Sequence, residues 1–151
     1  MATQHFRVPL DFSEYADQAL KYAMNLAGKL DARLTLLHVI QPVPIGGMDM
    51  GVTLPYTYLQ DLEAEIRQSM EGCLARVTAA GLEGDIVVAH GVPFHEILET
   101  AKTRKVDLIV MGTHGRTGLQ HILLGSVAEK VVRLAPCPVL VVREPTIVPV
   151  S

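Results

Sequence analysis

The sequence predicts an α/β fold built on a five-stranded parallel sheet. Three observations carry that expectation. Short, near-continuous runs of Val, Ile and Leu recur along the chain, as in parallel strands buried on both faces. Between them lie longer stretches with apolar residues every three or four positions. The two kinds alternate as βαβαβαβαβ, which requires right-handed crossovers and places helices against the sheet.

The first run is FRVPLD, residues 6–11. Its proline cannot donate to a ladder, so the strand is expected to leave the sheet by Pro9. A helix follows over 13–30, with Ala16, Leu20, Ala23, Ala27 and Leu30 on one face. Ser13 is its expected N-cap, and Glu14 and Asp17 suit the first turn. RLTLLHVI, residues 33–40, is the second strand. Residues 41–56 then run through prolines and glycines without a period. A segment this long is either a connector or a cover over a ligand. The second helix, over 57–80, spaces Leu59, Leu62, Ile66, Met70, Leu74 and Val77 helically and stops at Gly81. DIVVAH (85–90) is the third strand, and a helix over 93–105 starts at a proline and ends in Lys102, Arg104 and Lys105. VDLIVMG (106–112) and PVLVVR (138–143) are the last strands, around a helix over 126–135.

Composition narrows the function. A length of 151 residues suits one domain over 1–151. A net charge of −3 and an aromatic content of 5% argue against a nucleic-acid partner. No apolar run approaches the roughly 18 residues of a membrane helix, so no membrane association is expected. The N-terminus lacks a basic stretch followed by an apolar one, so a cytoplasmic protein is expected. Cys73 and Cys137 form no CxxC or zinc pattern and read as reduced structural thiols.

The stretch VMGTHGRTGLQHILLGSVAE, residues 110–129, carries the chemistry. Gly112 ends a strand, Gly115 follows after two residues, Gly125 after nine more, and Ser126 comes next. The sequence SVAE is a capping box, in which Ser126 caps a helix and Glu129 reaches back to it. A glycine-lined approach to a helix N-terminus suits an anion such as phosphate. Glycines that only make turns explain the same spacing. Ser126 is suited to capping, to donating to a phosphate, or to both. Arg116 is the one full positive charge in 112–125, so backbone amides would carry most of the binding. The pattern is neither a Walker A loop nor GxGxxG.

Asp11 ends the first strand. In doubly wound sheets ligands lie beyond the strands' carboxyl ends, where chain order reverses. If the first and fourth strands are neighbours, Asp11 faces Gly112 across that crevice. It would either accept from ribose hydroxyls or bond the amides of the next helix. His114 and His121 make at most a weak metal pair, and His114 is a candidate phosphate contact. His38 reads as a packed, hydrogen-bonded histidine, and Met48 and Met50 as gap fillers. No nucleophile–base pair and no carboxylate dyad is visible, so no catalytic residue is assigned and no protein metal site is expected.

The segments VPLDFSEYADQAL, LTLLHVI and DLIVMGTHGRTGLQHILLGSVAEKVVRLAPCPVLVV together resemble the universal stress protein family. The most specific feature is G-2x-G-9x-G-[ST], matched by Gly112, Gly115, Gly125 and Ser126. In the family that pattern marks members that bind ATP. The resemblance implies a Rossmann-like, adenine nucleotide alpha hydrolase-like three-layer sandwich with four helices and strand order 3-2-1-4-5. It implies that Asp11 binds ribose, that Pro9 and Leu10 line the adenine pocket, and that Val39 contacts adenine beside Met111. Gly112 would lie against the ribose. Gly115, Gly125, Ser126 and Val127 would hold the phosphates, with His114 and Arg116 nearby and Mg2+ or Mn2+ carried on them. It further implies a stress-response role regulated by nucleotide, and a homodimer through strand 138–143. That strand would otherwise be an exposed apolar edge. The tail 147–150 would cover the dimer seam or hang free. Slow ATP hydrolysis, or a pocket empty or filled by AMP or another anion, are the alternatives.

Overall fold

A computed structural model of the chain describes residues 4–42, 56–115 and 124–143. Met48, Met50, Arg116, Gly118, His121 and the tail 147–150 therefore lie outside the described residues. The element order is β1 (His5–Pro9), α1 (Glu14–Leu30), β2 (Arg33–Ile40), α2 (Tyr56–Ala79), β3 (Gly84–His90), α3 (Pro93–Thr103), β4 (Leu108–Gly112), α4 (Ser126–Leu134) and β5 (Val139–Val142). All four ladders are parallel, and the sheet order is β3-β2-β1-β4-β5. This is the expected α/β architecture, with its order reversing between β1 and β4.

Alternation along the strands divides the core between the two faces of the sheet. Phe6, Val8, Leu34, Leu36 and Val110 pack with Leu20 of α1 and Met70 and Val77 of α2. Leu37, Ile109 and Met111 pack with Ile97 and Ala101 of α3 and Ala128 and Val131 of α4. Both faces are apolar because both are covered, which is why the strands read as unbroken apolar runs.

The helix signals were legible at most ends. Ser13 Oγ accepts from the Ala16 amide at 3.1 Å, as expected of an N-cap. Gly81, at φ 78°, follows the end of α2. Pro93 opens α3. Three expectations need correction. Leu30 and Leu59, placed on the apolar faces of their helices, are 47% and 48% exposed. The last helix begins at Ser126 as expected, but its cap lies one residue earlier than the capping box implies: Gly125 is the N-cap and Ser126 the first helical residue. Gly125 is held by its own amide donating to the Thr113 carbonyl at 2.7 Å. Ser126 makes no cap hydrogen bond, and Glu129 pairs forward with Arg133 at 3.4 Å.

Cys73 and Cys137 are free, and burial pushes both thiols up from their ordinary value. Neither is therefore an activated thiolate. Asp17 joins two helices: Arg76 of α2 donates to it at 2.7 Å, and Lys21 lies at 3.2 Å. The Arg76 hydrogen bond, with Lys21 beside it, holds the Asp17 carboxyl below its ordinary value of 3.8. A carboxyl depressed in the folded state stabilises above its unfolded pKa, and the contribution disappears as pH falls through the folded one. Asp17→Asn is expected to flatten that acid-side loss. The effect should stay below about 1 kcal/mol, because the pair is exposed and solvent screens it. Urea unfolding at pH 7 and pH 3 reads the difference; equal slopes in both proteins would count against the bridge.

Candidate functional site

The carboxyl ends of β1, β2 and β4 meet the first turns of α1 and α4 around a cavity of about 600 Å³. The reason for the opening is partly Pro9. Leu10 donates to the Leu37 carbonyl at 2.7 Å, toward β2. Backbone groups alternate sides along a strand, so the Pro9 nitrogen faces β4 and has no proton to give. The β1–β4 pairing accordingly stops at Arg7↔Ile109, while β1–β2 pairing continues to Pro9↔Leu37. The two central strands part at the point where the chain order reverses.

Asp11 stands just beyond. Its Oδ1 accepts from the Ser13 amide at 3.0 Å, so the expected helix-start role is real. Its Oδ2 faces Gly115, where an added Cβ would stand 2.9 Å away. One carboxylate therefore braces the β1–α1 turn with one oxygen and faces the glycine loop with the other. Phe12 takes a left-handed φ of 66° in that turn. Its ring stacks on His38 with centroids 4.8 Å apart. His38 is packed and hydrogen-bonded as expected: Nδ1 donates to the Leu10 carbonyl at 2.7 Å. A carbonyl only accepts, so the proton sits on Nδ1.

The three motif glycines differ in what surrounds them. A Cβ at Gly112 would lie 2.8 Å from the Tyr15 backbone, so Gly112 lets α1 pack directly on β4. A Cβ at Gly125 would lie 3.2 Å from the Thr113 carbonyl oxygen. Gly115 differs: among the described residues, the Asp11 carboxylate is the single near neighbour of its added Cβ. The first backward hydrogen bond of α4 runs from the Glu129 amide to the Gly125 carbonyl at 2.9 Å. The amides of Ser126, Val127 and Ala128 consequently have no acceptor within the helix. They carry the positive end of its dipole, and all three residues line the cavity.

The cavity brings together every predicted site residue that is described: Pro9, Leu10, Asp11, Val39, Met111, Gly112, His114, Gly115, Gly125, Ser126 and Val127. Arg116 lies outside the described residues. Among the described lining residues, Asp11 is the single Asp, Glu, Lys or Arg. His114 Nδ1 lies 2.9 Å from the Thr113 hydroxyl, and its ring packs 5.2 Å from that of Tyr15. Among the described residues there is no group of three or more His, Cys, Asp or Glu able to hold a metal. Sequence reasoning did not assign Leu62 and Ile66 of α2 or Pro93 and Ile97 of α3 to the wall. The helical spacing of Leu62 and Ile66 marked them as buried, without indicating that a cavity lay beneath them.

The sequence profile described as the universal stress protein family matches residues 3–143. The chain belongs to the universal stress protein family. Universal stress protein MJ0531 of Methanocaldococcus jannaschii is 39% identical over 143 residues, spanning 91% of this chain and 81% of that protein. The solved structure of MJ0577, from the same organism, superposes with a TM-score of 0.82 at 32% identity, over 97% of this chain and 99% of that one. A universal stress protein solved in complex with cAMP has a TM-score of 0.69 at 26% identity, over 95% and 98%. Within this universal stress protein, no described helix is long and apolar enough to cross a membrane.

Proposed function

We propose that this universal stress protein binds ATP in the cavity between β1 and β4 and acts as a nucleotide-dependent regulatory protein of the stress response. The observation that carries the reading is the set of open amides at Ser126, Val127 and Ala128, facing a glycine loop and the Asp11 carboxylate across one crevice. Open amides at a helix N-terminus favour phosphate oxygens, and a carboxylate at a strand end suits ribose hydroxyls. Apolar walls from Pro9, Leu10, Val39 and Met111 suit a base. The relative solved with cAMP supports an adenine nucleotide as the ligand class.

With few cationic side chains to balance a triphosphate, the phosphates would carry Mg2+ or Mn2+ with them. The protein would work as a single domain over residues 1–151 in the cytoplasm, as a homodimer through strand 138–143. Neither nucleic acid nor membrane enters this reading. Calorimetric titration with ATP and Mg2+ tests it. Binding at or below millimolar concentration is expected, weakened at least about tenfold in Asp11→Ala, equivalent to about 1.4 kcal/mol. No heat at millimolar ATP would refute ATP as the ligand. A time course on the same samples separates a held ligand from a hydrolysed one.

A further inference from the structure

We propose that His38 is a positioning residue that sets base specificity: its side chain ends the β1–β2 ladder early and frees the Val39 backbone to read a base. The role rests on the nucleotide binding proposed for the same cavity. β2 is an interior strand, so its residues turn their backbone groups alternately toward β3 and β1. The Leu34 amide donates to the Glu83 carbonyl at 2.9 Å, and the Ile40 carbonyl accepts from the Gly91 amide at 3.0 Å. Even-numbered residues of β2 therefore face β3. Leu37 faces β1, where its carbonyl accepts from the Leu10 amide at 2.7 Å. Val39, two residues on, faces the same way.

A continued parallel ladder would next join the Val39 amide to the Leu10 carbonyl. Among the described residues that bond is absent, and the pairing ends at Pro9↔Leu37. The Leu10 carbonyl accepts from His38 Nδ1 instead, at 2.7 Å. The His38 ring is held for this by its stacking on Phe12. A side chain has thus taken the acceptor that the next backbone donor would have used. Val39 keeps an N–H and a C=O turned toward the place where β1 departs, and it lines the cavity.

A donor and an acceptor side by side define what can dock against them. Adenine offers the complement along one edge, an N1 acceptor beside an N6 amino donor. Hypoxanthine has nearly the same outline but reverses both, with an N1–H donor beside an O6 acceptor. It would set donor against donor and acceptor against acceptor, and polar groups left unpaired on binding are costly. The backbone of any residue carries such a pair. His38 is what keeps this one out of the sheet.

Calorimetric titration of the whole chain with ATP and with inosine triphosphate, each with Mg2+, tests the role. The parent should prefer ATP by at least about tenfold, as one mismatched pair of hydrogen bonds usually costs. In His38→Leu the Leu10 carbonyl loses its donor, and the Val39 amide should take the vacant acceptor. The preference should then fall to about threefold or less. His38→Asn, whose side-chain amide can still donate to the Leu10 carbonyl, should restore it. A merely structural role would weaken both nucleotides alike, so a His38→Leu variant that keeps the parent's ratio overturns the proposal. No binding of ATP to the parent would instead remove the nucleotide reading, and this role with it. Amide hydrogen exchange in the nucleotide-free parent decides even if the variants fail to fold. The Val39 amide should exchange at least about tenfold faster than the Leu37 amide, which lies within the ladder. Equal protection of the two overturns the proposal.

Discussion

Gly112→Ala is expected to destabilise the protein by about 2–3 kcal/mol, the upper part of the usual range for forcing an extra group into a packed interior. The new Cβ would stand 2.8 Å from the Tyr15 carbonyl carbon, carbonyl oxygen and Cβ at once. Backbone cannot rotate aside as a side chain can, so α1 must lift from β4. That shift would strain the first turn of α1, where Ser13 caps and Asp11 braces. The melting temperature should fall by about 5–10 °C for a domain of this size. Gly112→Val should do worse and accumulate unfolded. Thermal and urea unfolding followed by circular dichroism read the effect. An alanine variant within about 0.5 kcal/mol of the parent would show that the α1–β4 contact is looser than the geometry implies.

Gly115→Val should separate binding from folding. Gly115 has an ordinary backbone φ, and among the described residues one atom, Asp11 Oδ2, lies within 4 Å of its added Cβ. A valine there is not strained by its backbone, yet its methyl groups would occupy the space between Asp11 and the α4 amides. Nucleotide affinity is expected to fall at least about 30-fold, or about 2 kcal/mol. Stability should change by no more than about 1 kcal/mol, as for a loop position with little packing. Calorimetric titration beside urea unfolding measures both. Unchanged affinity in a folded variant would remove the loop from the binding site. Gly112→Ala and Gly115→Val therefore make a pair: the same residue type, in one motif, limiting stability at one position and ligand access at the other.

Much of the site was legible as a pattern. Alternating apolar runs and helical periods implied the α/β order, and Pro9 marked the end of the first strand. The glycine spacing and Asp11 pointed to one crevice, and the cavity gathers them. The pattern misled at SVAE, where Ser126 looked like a cap. Capping signatures describe local preference, whereas Gly125 is held in its cap conformation by Thr113, from the far side of the loop. It misled again at Leu30 and Leu59, since periodicity marks an apolar face but not which of its residues are covered.

Residue spacing alone was enough to specify the order of elements, the edges of the helices to within a residue or two, and Asp11 and the glycine loop as candidates for one crevice. These follow from local rules: side-chain period, the missing amide of proline, and the preference of capping residues. The apolar wall was named only by the family resemblance and in part not at all. Tertiary structure decided what each group does there. Whether Gly112 faces a ligand or the backbone of α1, and which Asp11 oxygen is spent, depend on distances that only the packed structure sets. A local pattern carries no information about such distances, because they are set by how the layers pack.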